Sequence, residues 1–216
     1  MIDIAYADLM DVRHPVESVI PGAQGKALAV LLHTTSELNL RTIARLAGIS
    51  VAQASRVLPG LVELGVIERR EVPPASLFRL VPEHVVTRSL LALTNARRQV
   101  LDELGRTAGS LRPTPSSVIV FGSFARGDGD AGSDIDLVVV RPAGVDADDP
   151  GWLAAIDGWT GEMSRFTGNA IEVLDVGIAD IADKLATTTP LWADIHRDGV
   201  VVFGSRLHEL MDTGNG

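Results

Sequence analysis

Cysteine is absent from the 216-residue chain, which excludes disulfides and thiolate metal sites and suits a reducing compartment. The five histidines, His14, His33, His84, His196 and His208, fall at no metal-ligand spacing and read as surface or capping residues. No apolar run reaches the length of a membrane span, and the start of the chain, with Asp3, Asp8 and Asp11, lacks the basic opening of a signal peptide. A soluble, cytoplasmic protein is the expectation.

Apolar residues are plentiful, at 46%, enough for one large core or two small ones. The net charge of −9 is unevenly spread. Residues 113–216 carry six basic and seventeen acidic side chains, whereas residues 22–112 carry twelve basic and seven acidic, so the chain has two electrostatic halves.

The acidic half holds the densest pattern, FGSFARGDGDAGSDIDLVVV, over residues 121–140. Asp134 and Asp136 are two apart at the start of an apolar run, so on a strand they present two carboxylates to one face. Like charges that close are costly without a cation, and hard oxygen donors suit Mg²⁺ or Mn²⁺. Residues 118–121 read as a buried strand, Gly122 permits a sharp turn and close approach of a ligand, and Ser123 is expected at the N-cap of a short helix, where free N–H groups favour phosphate.

Phe121, Gly122, Ser123, a spacer, then Asp134, Ile135, Asp136 and Leu137 closely resemble the polymerase-β-like nucleotidyltransferase superfamily, and Ala125, Arg126, Gly127 and Ser133 resemble its minimal branch. The resemblance implies an α/β (α+β) nucleotidyltransferase fold over residues 113–216, with a small mixed sheet flanked by helices. It implies Asp134 and Asp136 as catalytic, metal-binding carboxylates on a nucleoside triphosphate, with Gly122, Ser123, Arg126 and Ser133 as the nucleotide-binding set. A third acid stands on a neighbouring strand in active members. Residues 170–176, AIEVLDV, are the next strand candidate; Glu172 aligns with that acid, and Asp175, three further on, falls on the opposite face. Glu172 departs from the family's more frequent Asp, and an exposed polar residue on a half-buried strand is the other reading of it.

The basic half has its own pattern. Helices are expected over residues 26–33 and 40–47, the second ended by Gly48, and a third opens at Ser50 with Gln53 completing a capping box. Pro59 is expected to kink or end that helix after Leu58. Residues 66–70 and 77–81 read as two strands joined by a Pro- and Ser-containing turn. This order resembles the winged helix-turn-helix of bacterial regulators. The resemblance implies Ser50, Gln53, Ser55 and Arg56 on the base or phosphate side of DNA, with Arg41, Arg45, Arg69 and Arg70 as backbone contacts. A protein-interaction or dimerisation module is the alternative.

Residues 82–111 show helical spacing and predict one connecting amphipathic helix, exposing Arg88, Arg97, Arg98 and Arg106. The resulting division is 1–24 extension, 25–85 winged helix, 86–112 connecting helix and linker, and 113–216 nucleotidyltransferase domain. The extension carries no motif; packing on a domain and joining a homodimer are both open to it. Further helices are expected over 152–166, 178–186 and 191–197, and a strand over 200–203, with Trp152, Trp159 and Trp192 as core or interface residues.

The function the two resemblances imply is metal-dependent transfer of a nucleoside monophosphate, AMP from ATP, to a macromolecular hydroxyl on a protein or tRNA. Minimal nucleotidyltransferases of this kind occur in toxin–antitoxin pairs, and a winged helix fits self-regulation there. A winged-helix regulator whose second domain only binds nucleotide or metal is the chief competing reading. An antibiotic-modifying nucleotidyltransferase is a third, set back by the short C-terminal region.

Overall fold

The computed structural model describes residues 11, 13–130 and 132–212. The chain divides into two compact units, His14–Ala96 on the one hand and Arg97–Gly216 with Met1–Arg13 on the other. Residues 1–10 and 12 of the expected N-terminal extension lie outside the described residues; Arg13 lies 3.4 Å from Asp130.

The first unit runs α1 (Pro15–Val19), α2 (Ala23–Leu32), β1 (Leu38–Asn39), α3 (Leu40–Leu46), α4 (Val51–Glu63), β2 (Ile67–Val72), β3 (Ala75–Leu80) and α5 (Val85–Thr94). The strands form an antiparallel sheet in the order β1-β3-β2. Ala54, Leu58 and Leu61 line one face of α4 at helical spacing and are buried with Leu28, Leu31, Ile43 and Phe78. α4 opens as predicted: Ser50 Oγ accepts from Gln53 N–H, and Gln53 Oε1 accepts from Ser50 N–H.

Pro59 does not end α4, which continues to Glu63. The carbonyl that Pro59 leaves without a helical donor belongs to Ser55, and both residues are exposed, so that carbonyl is left on the solvent side of the helix rather than in the core. The predicted connecting helix is also corrected. It is two helices, α5 and α6 (Ala96–Ala108), broken at Asn95. Asn95 caps α5, its Nδ2 donating to Leu91 O at 3.1 Å, the local backbone bonding that makes Asn a poor interior helix residue.

The second unit continues from α6 with β4 (Ser117–Phe121), α7 (Gly122–Arg126), β5 (Ile135–Arg141), α8 (Pro150–Thr167), β6 (Ile171–Gly177), α9 (Ile181–Ala186), α10 (Pro190–Asp198), β7 (Val200–Gly204) and α11 (Leu207–Asp212). Its sheet has the order β6-β5-β4-β7, with β5 and β6 parallel and the other pairs antiparallel. Alternation along the strands supplies two cores. Val118, Val120, Leu137 and Val139 face α6 and α8, where Trp152 and Trp159 are buried. Ile119, Val138, Val140 and Val176 face α9, α10 and α11, where Trp192 is buried. Among the described residues, no helix is long and apolar enough to cross a membrane.

Candidate functional site

The parity of β5 places the site. Asp136 alternates with Val138 and Val140, so it emerges on the face covered by α9, α10 and α11, beyond the end of the buried run. Asp134 precedes the strand by one residue and is exposed, while Asp136 is half-buried. On the parallel neighbour β6, Glu172 is the register partner of Asp136 and shares its face. Asp175 lies on the other face, where its Oδ2 accepts from Arg141 Nη1 at 2.7 Å and from Trp152 Nε1 at 3.0 Å. It belongs to the packing of the sheet rather than to the carboxylate group.

Burial pushes the Asp136 carboxyl above the usual carboxylate range, and the charges of Asp134 and Glu172 push it further; Arg126 pulls partly the other way. Three residues from three separate stretches of chain therefore act on Asp136 electrostatically. Gly122 completes the arrangement. On the strand side, Phe121 pairs with Asp136, and Gly122 follows with φ +70°. The positive φ favours glycine, and a Cβ built there would overlap the Asp136 carboxylate oxygen, so a side chain at this position would displace that carboxylate.

The N-cap expected of Ser123 is corrected: the N-cap of α7 is Phe121, and Ser123 sits inside the first turn. Gly122 adopts the turn and so starts the helix two residues earlier than a serine cap requires. Arg126, at the other end of α7, lies 3.1 Å from Asp128 and 3.8 Å from Asp198 at the end of α10. Asp198 is held ionised chiefly by its hydrogen bond with Arg197, with Arg126 adding to the effect. The Ser133 hydroxyl is engaged in its own loop, donating to Asp130 Oδ1 at 2.9 Å and accepting from Asp130 N–H at 3.0 Å.

Two features lie outside the motif. Buried Asn169 donates from Nδ2 to Ser133 O at 2.9 Å, and Ile135 N–H donates to Ala170 O at 2.9 Å, so the segment before β6 fixes the backbone on both sides of Asp134. Arg97, expected on an exposed face, is half-buried and donates to carbonyls of α7. Neither residue carries a motif, and their partners lie 27 to 36 positions away, beyond the reach of local pattern.

Among the described residues, no group of three or more His, Cys, Asp or Glu side chains forms a metal cage by itself. The chemistry nevertheless fits Mg²⁺, which keeps several waters and is held by one or two carboxylates together with substrate phosphates. Asp134 and Asp136 supply such a pair, with Glu172 beside it and a raised Asp136 carboxyl that a cation would relieve.

In the first unit, α3 and α4 are joined through Gly48 at φ +61°, and β2 and β3 form the wing. Arg41, Arg45, Ser50, Gln53, Ser55, Arg56, Arg69 and Arg70 are all exposed. The structure divides them. Ser50 and Gln53 are engaged in the capping box. Arg69 pairs with Glu71 at 2.6 Å and donates to Ser76, and Arg70 makes a two-pronged pair with Glu37. Arg41, Arg45 and Arg56 have no ion pair among the described residues, so they are the cations open to an anionic partner. A cleft of about 770 Å³ between α4 and the wing is lined by Arg41, Ser55, Val62, Arg69 and Phe78.

Comparison with known families agrees with this division. Residues 97–190 match a nucleotidyltransferase domain, and residues 26–71 match an IclR helix-turn-helix domain. No curated protein matches. Similar solved structures include the crystal structure of a toxin–antitoxin with AMP-PNP, 16% identical over 54% of this chain and 82% of that one, with a TM-score of 0.36. Another, from Sulfolobus solfataricus and assigned as a nucleotidyltransferase, is 21% identical over 50% of this chain and 82% of its own, with a TM-score of 0.30. The chain thus carries a nucleotidyltransferase domain behind a helix-turn-helix of the IclR type.

Proposed function

We propose that the second unit transfers a nucleoside monophosphate from a nucleoside triphosphate, with ATP the first candidate, to a hydroxyl of a macromolecule. The observation that carries this reading is the meeting of Asp134, Asp136 and Glu172 beside a glycine turn packed directly against the Asp136 carboxylate. When bound, Mg²⁺ or Mn²⁺ on Asp134 and Asp136 supplies charge neutralisation on the triphosphate and on the departing pyrophosphate.

The chain's own residues do the rest. Gly122 lets the phosphates approach the backbone closely, and Ser123 offers its N–H and hydroxyl in the first turn of α7. Arg126 opposes phosphate charge from the far end of that helix. Ser133, in the nucleotide-binding set, also holds the loop that delivers Asp134 through its bonds with Asp130. Glu172, exposed beside Asp136, takes the proton of the acceptor hydroxyl as its oxygen bonds to the α-phosphorus and pyrophosphate leaves.

The first unit binds DNA in this reading, with Arg56 on α4 reaching the groove and Arg41 and Arg45 meeting phosphates. Self-regulation of a toxin–antitoxin pair in the cytoplasm is the setting proposed for the two activities, supported by the motif resemblance and by the lack of cysteine. A regulator that only binds nucleotide is favoured by one observation, Glu172 in place of the usual Asp without a closed three-carboxylate group. Incubation with α-labelled ATP, Mg²⁺ and candidate protein or tRNA acceptors separates the two. Transfer of label supports the enzyme; operator binding without any transfer supports the regulator.

A further inference from the structure

A five-residue helix cannot hold itself together, because nearly all its backbone groups lie within a turn of an end. α7 is such a helix, and it carries both Ser123 and Arg126. Its last carbonyls are met from outside: Arg97 donates from Nε to Phe124 O at 2.8 Å and from Nη2 to Ala125 O. The planar fork of the guanidinium suits two adjacent carbonyls, and its positive charge lies at the helix end where the dipole favours it. The stem is fitted as well. Arg97 Cδ and Nε stand 3.6 Å from where a Cβ on Gly127 would lie, and Gly127 takes φ +77° to turn the chain out of α7. Arg97 stands in the first turn of α6, whose Val100, Leu104 and Ala108 are buried against the sheet, so the fork is mounted on a packed element.

We infer that Arg97 is the positioning residue of the phosphate-binding turn: it fixes α7, and through α7 the placement of Ser123 and Arg126, without touching the nucleotide. The inference rests on the nucleotidyl-transfer reading. A lysine, whose compact ammonium lacks the planar fork, does not reproduce the paired bonds that Nε and Nη2 make to the two carbonyls.

The test compares wild type with Arg97→Ala, Arg97→Lys and Arg97→Gln by two measurements. Hydrogen exchange of the peptide spanning 121–128 reads the turn itself, without nucleotide. Binding of a fluorescent ATP analogue with Mg²⁺ reads the consequence. Loss of two charge-assisted hydrogen bonds at the turn corresponds to weakening by roughly 10- to 100-fold. Faster exchange in 121–128, weaker binding in all three variants, and recovery of Arg97→Ala by added methylguanidinium are expected, with the unfolding midpoint of Arg97→Lys near that of wild type. Unchanged exchange, or binding loss that tracks the midpoint and is not recovered, overturns the inference. Should Arg97→Ala fail to fold, Arg97→Lys and Arg97→Gln carry the same comparison. Wild type that binds no nucleotide refutes the transfer reading and the functional half of the inference, whereas unchanged exchange with normal nucleotide binding refutes the role of Arg97 alone.

Discussion

Asp136 on β5 and Glu172 on β6 are register partners in a parallel pair, and the charge of Glu172 adds to the cost of ionising Asp136. The sheet therefore sets a destabilising contact where a packed core would otherwise continue. Such contacts persist at functional positions.

That cost has a measurable pH dependence. The Asp136 carboxyl is raised above its unfolded value, so the folded state holds the proton more tightly, and its contribution to stability is present at low pH and lost as pH rises through the folded value. At neutral pH without divalent cations, Asp136→Asn is expected to unfold at a higher urea concentration than wild type, with the advantage vanishing in acid. Mn²⁺ or Mg²⁺ should raise the midpoint of wild type and leave Asp136→Asn unmoved. A variant no more stable than wild type at pH 7 removes the electrostatic argument.

For transfer itself, Asp134→Ala and Asp136→Ala should each lower the rate by about 10²-fold or more, comparable to removing a principal charge-stabilising group, with the circular dichroism spectrum retained. Glu172→Gln should lower kcat and leave nucleotide affinity nearly unchanged. Full activity in either aspartate variant would sink the proposed site.

Gly122→Ala combines a backbone penalty with an overlap on the Asp136 carboxylate. The positive φ alone costs about 1–2 kcal/mol for a residue with a side chain. The expected outcome is a lower denaturation midpoint together with loss of nucleotide binding. Wild-type affinity in this variant would show that the turn does not face the ligand.

The winged helix offers a contrast between arginines. Arg56→Ala, Arg41→Ala and Arg45→Ala should each weaken DNA binding and reduce the salt slope by about 1 where a phosphate contact is lost. Arg70→Ala should do much less, since Glu37 already neutralises that side chain. Equal effects at Arg56 and Arg70 in filter-binding titrations would argue against this division.

Asn169→Ala should destabilise the second unit by about 1–3 kcal/mol, because the Ser133 carbonyl loses its buried donor. The loop bearing Asp134 should loosen with it, and weaker Mn²⁺ binding is the accompanying expectation. Chemical denaturation alongside metal titration checks both.

Local signals carried much of this architecture. Ser50 and Gln53 announce the start of α4, and the apolar run after Asp134 announces β5, with Asp136 on the face of Val138 and Val140. What escaped were effects of tertiary context. Pro59 is tolerated because its face of α4 is wet, Asn95 divides a helical pattern that apolar spacing alone makes continuous, and Gly122 takes the helix start from Ser123. Arg97 looks like any surface arginine in the sequence, since nothing in its neighbourhood names carbonyls 27 and 28 residues ahead.

All three tryptophans of the chain, Trp152, Trp159 and Trp192, are buried in the second unit, and none lies in residues 14–96. Indole emission on titration with denaturant will thus follow the melting of the second unit alone, while far-ultraviolet ellipticity sums over both units. Non-coincidence of the two curves would give each half its own transition within a single sample, with no need to cut the polypeptide.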